Sequence, residues 1–450
     1  MMKPNTVLNL LAIAIIVALI GYSEVVVQPH NNDGRTHIVY WEKWTNFEGD
    51  AIRDTVDYYN KSQNKIYVDL LTVSSIEYKV LLATAGGDPP DLAGLYAPQV
   101  AQYNDDNALM PLNDFCKEAG IEESQYIPAY WECCNINGKI LALPTTPADT
   151  ALFINKKALK DAGVDPNTAP RTIEELDQLT DKLTTKLPDG RLDKVGFIPN
   201  EPGWWNWAWG APFGGKLWDG HDKITANSKE NIRAFNWIAS FAKRYGGGNV
   251  QAFKTGIGKL MFASSENGFF TGKVAMEIQG VWMHNFIKKY GSQLEKPVRN
   301  WRVVPFPYPA DRPDLVNNTI IDLDIIGIPR GAKHPREAFE FIKFLESHKG
   351  IEMLNLKHGK HTPLKQNSPG YFETHPNPDV KLFADLAASK SALSPPKLGI
   401  WPEYKDDIGA AFEEVVLGNK TAEEALNALQ ARMQPKLDQY LKRKHLRGEL

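Results

Sequence analysis

The stretch "HIVYWEKWTNFEGDAIRDTVDYYNKSQNKIYVDLLTV", His37 to Val73, decides the fold class. Its first five residues join β-branched and aromatic side chains in a short apolar run, the pattern of a strand. "EGDAIRDTVDYYNKS" then places Ile52, Val56 and Tyr59 on one face at helical spacing. "IYVDLLTV" reads as a second strand. A helix through "YKVLLATAG" ends at Gly86-Gly87, and "PDLAGLY" supplies a third strand. Helices between apolar strands imply an α/β fold with a mainly parallel sheet covered on both faces.

The same style continues downstream. "TIEELDQLTDKL" opens with a Thr172-x-x-Glu175 capping box and carries Ile173, Leu176, Leu179 and Leu183 on one stripe. "NIRAFNWIASFAKRY" stops at the glycines Gly246 to Gly248, "PREAFEFIKFLES" starts on Pro335, and "TAEEALNALQARM" has a second capping box, Thr421 to Glu424. A chain of 450 residues exceeds one ordinary core, so two domains or two lobes are expected. With 43% hydrophobic and 23% charged residues and a net charge of −3, the composition is globular and gives no electrostatic footprint for nucleic acid.

At the amino terminus, Lys3 precedes "VLNLLAIAIIVALIG", Val7 to Gly21, an apolar run of secretory length, and Gly21-Tyr22-Ser23 offers a small-x-small cleavage pattern. Residues 1–23 are read as a signal peptide, with an uncleaved anchor as the alternative, and 24–36 as a polar linker. Of the three cysteines, Cys133 and Cys134 are adjacent and too close for an unstrained mutual bridge. A disulfide from one of them to Cys116 is the preferred reading for an oxidising compartment, with three free buried thiols as its rival.

Catalytic signatures are few. "GFFTGKVAM" lacks the four-residue gap and the Ser/Thr of a phosphate loop, and "HGKH", His358 to His361, reads as solvated loop histidines rather than metal ligands. No cofactor or metal is expected. A glycosidase needs only two carboxylates suitably placed in space, so hydrolysis stays open as an alternative. The positive signal is aromatic: "EPGWWNWAWGAPFGGKLWDG", Glu201 to Gly220, holds five tryptophans, and Trp41, Trp44, Tyr96, Trp282 and Trp401 recur near strand ends or turns. Indole faces stack on the C–H faces of sugar rings while nearby Asp, Glu and Asn meet the hydroxyls, a combination suited to a neutral polyol.

Four segments together resemble the family 1 extracellular solute-binding proteins of ABC importers, the group that contains the maltose-binding proteins. They are "GGDPPDLAGLYAPQVAQYNDDNALMPLNDF" (Gly86 to Phe115), "LPTTPADTALFINKKALKDAGVDPNTAPRTIEEL" (Leu143 to Leu176), "FFTGKVAMEIQGVWMHNF" (Phe269 to Phe286) and "IGIPRGAKHPREAFEFIKFLES" (Ile326 to Ser347). The resemblance implies two α/β lobes of the type II periplasmic-binding-protein kind, joined by crossings near Leu143 to Asp149, near Ile320 to Asp324 and within Leu354 to Pro363. It puts 37–145 and 322–357 in lobe I, and 146–321 and 358–450 in lobe II.

By position it also implies a cleft lined by Trp41, Glu42, Trp44, Tyr96, Asp149, Trp282, Asp322 or Asp324, and Trp401. Within the tryptophan-rich stretch, Trp205 and Trp207 are expected in the cleft before the others. The implied protein is a monomeric periplasmic receptor that delivers a sugar to an ABC permease. "GYSEV" lacks the lipid-modified cysteine of many relatives. Two alternatives remain at this point: a secreted carbohydrate-active enzyme with the same aromatic cleft, and the same fold carrying a phosphorylated polyol or a polyamine.

Overall fold

A computed structural model describes residues 33–258 and 263–448. The apolar amino-terminal run and most of the linker lie outside the described residues. The strands that set the architecture are β1 (Thr36–Glu42), β2 (Ile66–Thr72), β3 (Leu92–Tyr96), β4 (Leu143–Pro147), β5 (Thr150–Asn155), β6 (Met276–Gly280), β7 (Trp301–Val304), β8 (Thr319–Ile320), β9 (Leu323–Gly327) and β10 (Ala392–Leu393). The helices used below are α1 (Asn46–Ser62), α2 (Ile173–Leu183), α3 (His348–His358), α4 (Trp401–Leu417) and α5 (Ala422–Leu446).

The molecule is two-lobed. In the first lobe the strands lie in the order β2-β1-β3-β9-β4, with β1 parallel to β2 and β3, and β9 antiparallel to both β3 and β4. In the second lobe β5 lies between β6 and β7 and is antiparallel to both. One strand in each sheet therefore runs against the rest, and in both cases it is the strand that has just arrived from the other lobe. The parallel majority follows from the strand-helix alternation. The reversed strand follows from the crossing, which delivers the chain to the sheet from its opposite end.

Two crossings lie side by side. β4 passes to β5 through Ala148-Asp149, and β8 passes to β9 through Ile321-Asp322, with the Ala148 N–H donating to the Asp322 carbonyl at 2.9 Å. The stretch expected to hold the third, Leu354 to Pro363, ends in backbone pairing with the segment at 125–127. Ile127 N–H donates to the Pro363 carbonyl and Lys365 N–H to the Gln125 carbonyl, so the chain through Lys365 is still tied to the first lobe. Helices α4 and α5 pack their Tyr404, Phe412, Leu429 and Leu437 into the second-lobe core beside Trp209 and Phe241.

The local signals have instructive outcomes. Thr421 and Glu424 form a complete capping box at α5, 2.9 and 3.2 Å. At α2 the box is half made: Thr172 Oγ1 accepts from the Glu175 N–H, but Glu175 reaches past it to the Arg171 N–H, 2.7 Å. The preferred disulfide is absent, and all three cysteines are free. Cys116 packs with Ile38 and Leu92, whereas Cys134 packs with Ala93 and Leu95. Successive strand residues face opposite sides of a sheet, so the sheet itself separates the two sulfurs.

Candidate functional site

A cleft of about 630 Å3 opens between the lobes. Trp44, Glu48, Tyr96, Asp324 and Lys360 line it from the first lobe, Asp322 from the crossing, and Trp204, Trp205, Trp207, Trp282, Trp401 and Lys405 from the second. Strand ends and the turns after them supply most of these groups, because there the backbone leaves the sheet and side chains are freed from packing. Tyr96 ends β3, Trp282 follows β6 by two residues, and Trp401 begins α4.

The first-lobe wall is a chain of charges. Lys43 Nζ lies 3.3 Å from Glu42 and 3.1 Å from Asp324 Oδ1, while Lys360 Nζ lies 3.4 Å from Asp324 Oδ2 and 3.8 Å from Glu48. Thr146 Oγ1 also donates to Asp324 Oδ2, 2.7 Å. Burial alone would raise the Asp324 carboxyl, but the two ammonium groups outweigh it and hold the group down to about 2. Asp322, two residues earlier, makes no such ion pair, and the pull of Lys405 and Lys360 on it is weaker than its burial. Burial, reinforced by the Asp324 charge, pushes it up to about 6. Lys43 Nζ also sits 4.7 Å from the Trp44 ring and 4.6 Å from the Tyr96 ring, fixing both walls of this half.

The second-lobe wall is a set of rings. Trp282 lies 5.9 Å from Trp205 and 6.2 Å from Trp204 between ring centroids, and Trp207 meets Trp401 edge-on at 5.2 Å. Trp204 is 44% exposed, whereas Trp205, Trp207 and Trp401 line the cleft while almost wholly buried. Each wall has a bare-backbone position under a key side chain. A Cβ at Gly280 would lie 1.9 Å from Trp282 Cζ3, and one at Gly94 would lie 1.9 Å from Glu42 Oε2.

Eight of the eleven sequence-derived candidates line the cleft: Trp44, Tyr96, Trp205, Trp207, Trp282, Asp322, Asp324 and Trp401. The other three do not. Trp41 points to the opposite side of β1 from Tyr40 and Glu42 and packs against the cluster of Leu95 and Tyr130. Glu42 is sealed beneath the wall, accepting from Tyr40 Oη at 2.6 Å and from the Lys43 N–H at 2.7 Å. Asp149 is fully buried in the hinge, where Tyr130 Oη donates to it and His361 Nε2 lies 2.9 Å away.

The reading of "HGKH" as solvated histidines is overturned, because His358, Lys360 and His361 are all buried. Gly359, with φ +64°, ends α3 and turns these side chains inward: His358 meets Trp44 edge-on at 4.4 Å, and Lys360 reaches the cleft. Sequence reading missed Trp204, Glu48, Phe286, Lys360 and Lys405. Trp204 carried the same indole signal as its neighbours, and only burial separates them. Trp209, by contrast, is sealed in the core.

The charged wall is built to hold rather than to react. Both oxygens of Asp324 are engaged by Lys43, Lys360 and Thr146, so this carboxylate is not free to attack or to activate water. Among the described residues no group of three or more His, Cys, Asp or Glu side chains could hold a metal ion.

Comparison with known proteins agrees with this geometry. The family model described as bacterial extracellular solute-binding protein matches residues 47–352. Among curated proteins, the sn-glycerol-3-phosphate-binding periplasmic protein UgpB of Escherichia coli K12 is 25% identical over 373 residues, 76% of this chain and 78% of that protein. Among solved structures, CpMnBP1 with mannotriose bound is 28% identical with a TM-score of 0.76, over 88% of this chain and 99% of that one. The sugar-binding protein MalE from Xanthomonas citri shares the fold, with a TM-score of 0.73 at 17% identity over 92% of this chain and 100% of that one. The chain belongs to the bacterial extracellular solute-binding proteins, a family of non-catalytic receptors for ABC transport.

Proposed function

We propose that this member of the solute-binding family is a periplasmic receptor that captures a neutral sugar or oligosaccharide between its lobes and delivers it to an ABC permease. The observation that carries the reading is the division of the cleft: five indoles on one wall face carboxylates and a buried lysine on the other. Pyranose C–H faces stack on the indoles, and ring hydroxyls donate to Asp324 and Glu48 or accept from Lys360. Trp44, Tyr96, Trp204, Trp205 and Trp282 supply the stacking surface, with Trp207 and Trp401 behind it. The ligand gains both sets of contacts only when the lobes close on it, so sugar shifts the population toward the closed form.

A phosphorylated polyol is the second reading, because the curated relatives at 25% identity bind sn-glycerol 3-phosphate. The charges disfavour it. Glu48, Asp322 and Asp324 face the cleft against Lys360 and Lys405, and Lys360 is already paired with both Asp324 and Glu48. A dianion brought here would meet more carboxylates than free cations. The 28% identical structural relative holds mannotriose, a neutral sugar.

A thermal-shift and calorimetric screen of the purified chain against mannotriose, mannobiose, maltotriose and sn-glycerol 3-phosphate tests the proposal, since a ligand bound only by the native state raises Tm by mass action. Binding of a neutral saccharide, recovered unaltered, is the expected result. A shift with glycerol phosphate alone would replace the sugar reading by the second one.

A further inference from the structure

The cleft is open to solvent where Tyr96 and Trp204, one from each lobe, are 40% and 44% exposed. At Phe286 the two lobes instead touch through their side chains. Phe286 lines the cleft from the helix Met283–Tyr290, whose Met283 and Ile287 are set in the second-lobe core with Phe153. Its ring meets that of Phe47, in the first turn of α1, with centroids 5.1 Å apart and planes at 75°. Lys289 Nζ, one turn further along the same helix, lies 5.3 Å from the Phe47 ring. Asn285 Nδ2 donates to the His358 carbonyl at the end of α3. Gly359 makes room for that approach, since a Cβ there would lie 2.7 Å from Asn285 Oδ1. Three contacts, each joining first lobe to second, therefore stand side by side.

We propose that Phe47, Asn285 and Phe286 form an end wall of the cleft, so that an oligosaccharide is taken by one terminus, its last unit seated against Phe286 and Trp44. The same contacts gather the groups such a unit needs. His358 accepts the Asn285 bond on its carbonyl, and its ring meets Trp44 edge-on at 4.4 Å. Glu48 follows Phe47 in the chain, and Lys360 lies two residues beyond His358. Both line the cleft, with Lys360 Nζ 3.8 Å from Glu48. A terminal unit finds aromatic faces and a carboxylate–ammonium pair in one place, stacking on the first and exchanging hydroxyl hydrogen bonds with the second.

Selection by such a wall is exclusion. A chain continuing past the seated unit would have to part Phe47 from Phe286 and break the Asn285 bond to His358, and a bulky group on that terminus would meet the same obstacle. The other terminus leads toward Tyr96 and Trp204, where the cleft is open and an added group extends into water.

The inference rests on the sugar reading above, and its test separates the two. Calorimetry compares mannotriose and maltotriose with two derivatives of each: a 2-aminobenzamide conjugate at the reducing end, and a 4,6-O-benzylidene acetal on the non-reducing unit. For whichever sugar binds, the expected result is a loss of about tenfold or more with one derivative and of about threefold or less with the other. Phe47→Ala combined with Asn285→Ala opens the wall and should shrink the larger loss to about threefold or less. Equal binding of both derivatives to the unmodified chain overturns the end wall, and so does loss of both, whether or not the variant folds. A large loss that persists in a variant of unchanged Tm overturns it as well. Failure of the unmodified chain to bind any saccharide overturns the sugar reading and the end wall together, whereas binding without discrimination between the two termini overturns the end wall alone.

Discussion

The first-lobe wall of the cleft is made of charges locked to one another, and the second-lobe wall of rings in tilted and edge-on contact. Glu42, Lys43, Asp324, Lys360 and Glu48 alternate in sign, and every link between neighbours is 3.8 Å or less. Such a chain is rigid, since moving one member leaves another uncompensated in a buried setting. The rings of Trp204, Trp205 and Trp282 lie 5.9 to 6.2 Å apart and make no directional demand on each other. Direction is therefore stored in one lobe and adaptable contact area in the other, and a ligand is fully recognised only by both.

Removing a charge should damage the fold, and removing a ring should damage binding. Asp324→Ala leaves Lys43 and Lys360 facing a gap, with an expected loss of about 3–5 kcal/mol in urea denaturation. A loss below about 1 kcal/mol would show the charge chain to be dispensable. Trp282→Ala removes the ring at the centre of the second wall, with an expected weakening of sugar binding of roughly 30-fold, about 2 kcal/mol, and little change in Tm.

Acidity sharpens the contrast within the charged wall. Asp322 is raised to about 6 from 3.8, so its contribution to stability is complete below the unfolded value and disappears as pH rises through 6. Asp324 is lowered to about 2, so its contribution is present above the unfolded value and is lost as pH falls through 2. Asp322→Asn should thus raise Tm at about pH 7 while leaving it level with the parent at about pH 4. A gain of equal size at both would contradict the assignment. The smallest effect is expected for Lys405→Met, which should leave affinity for a neutral sugar within about threefold, the range of an exposed charge. A larger loss would point to an anionic group on the ligand.

The sequence disclosed what depends on local pattern. Apolar runs between helices revealed the parallel core of the first lobe, and the run of indoles marked the second wall. The reversed strands β5 and β9 were hidden, because direction in a sheet is set by where a crossing enters, not by the residues of the strand. The same limit explains Lys360. Its neighbours in "HGKH" suggest an exposed loop, and only the helix end at Gly359 and the approach of Asp324 from a strand 36 positions earlier bring it inside. Trp41 and Trp44 are three residues apart and chemically identical, yet the two sides of one strand end divide them between core and cleft.

Gly94 and Gly280 lie in different lobes but share one property: a neighbouring side chain occupies the place where their own would be. The shape of each recognition surface at these points is dictated by main chain alone. A single methyl group added at Gly280 would tip the Trp282 indole without touching ligand, crossing or core. Affinity in this molecule is therefore vulnerable at a site that chemistry-minded inspection would pass over, where the smallest residue decides how the largest one lies.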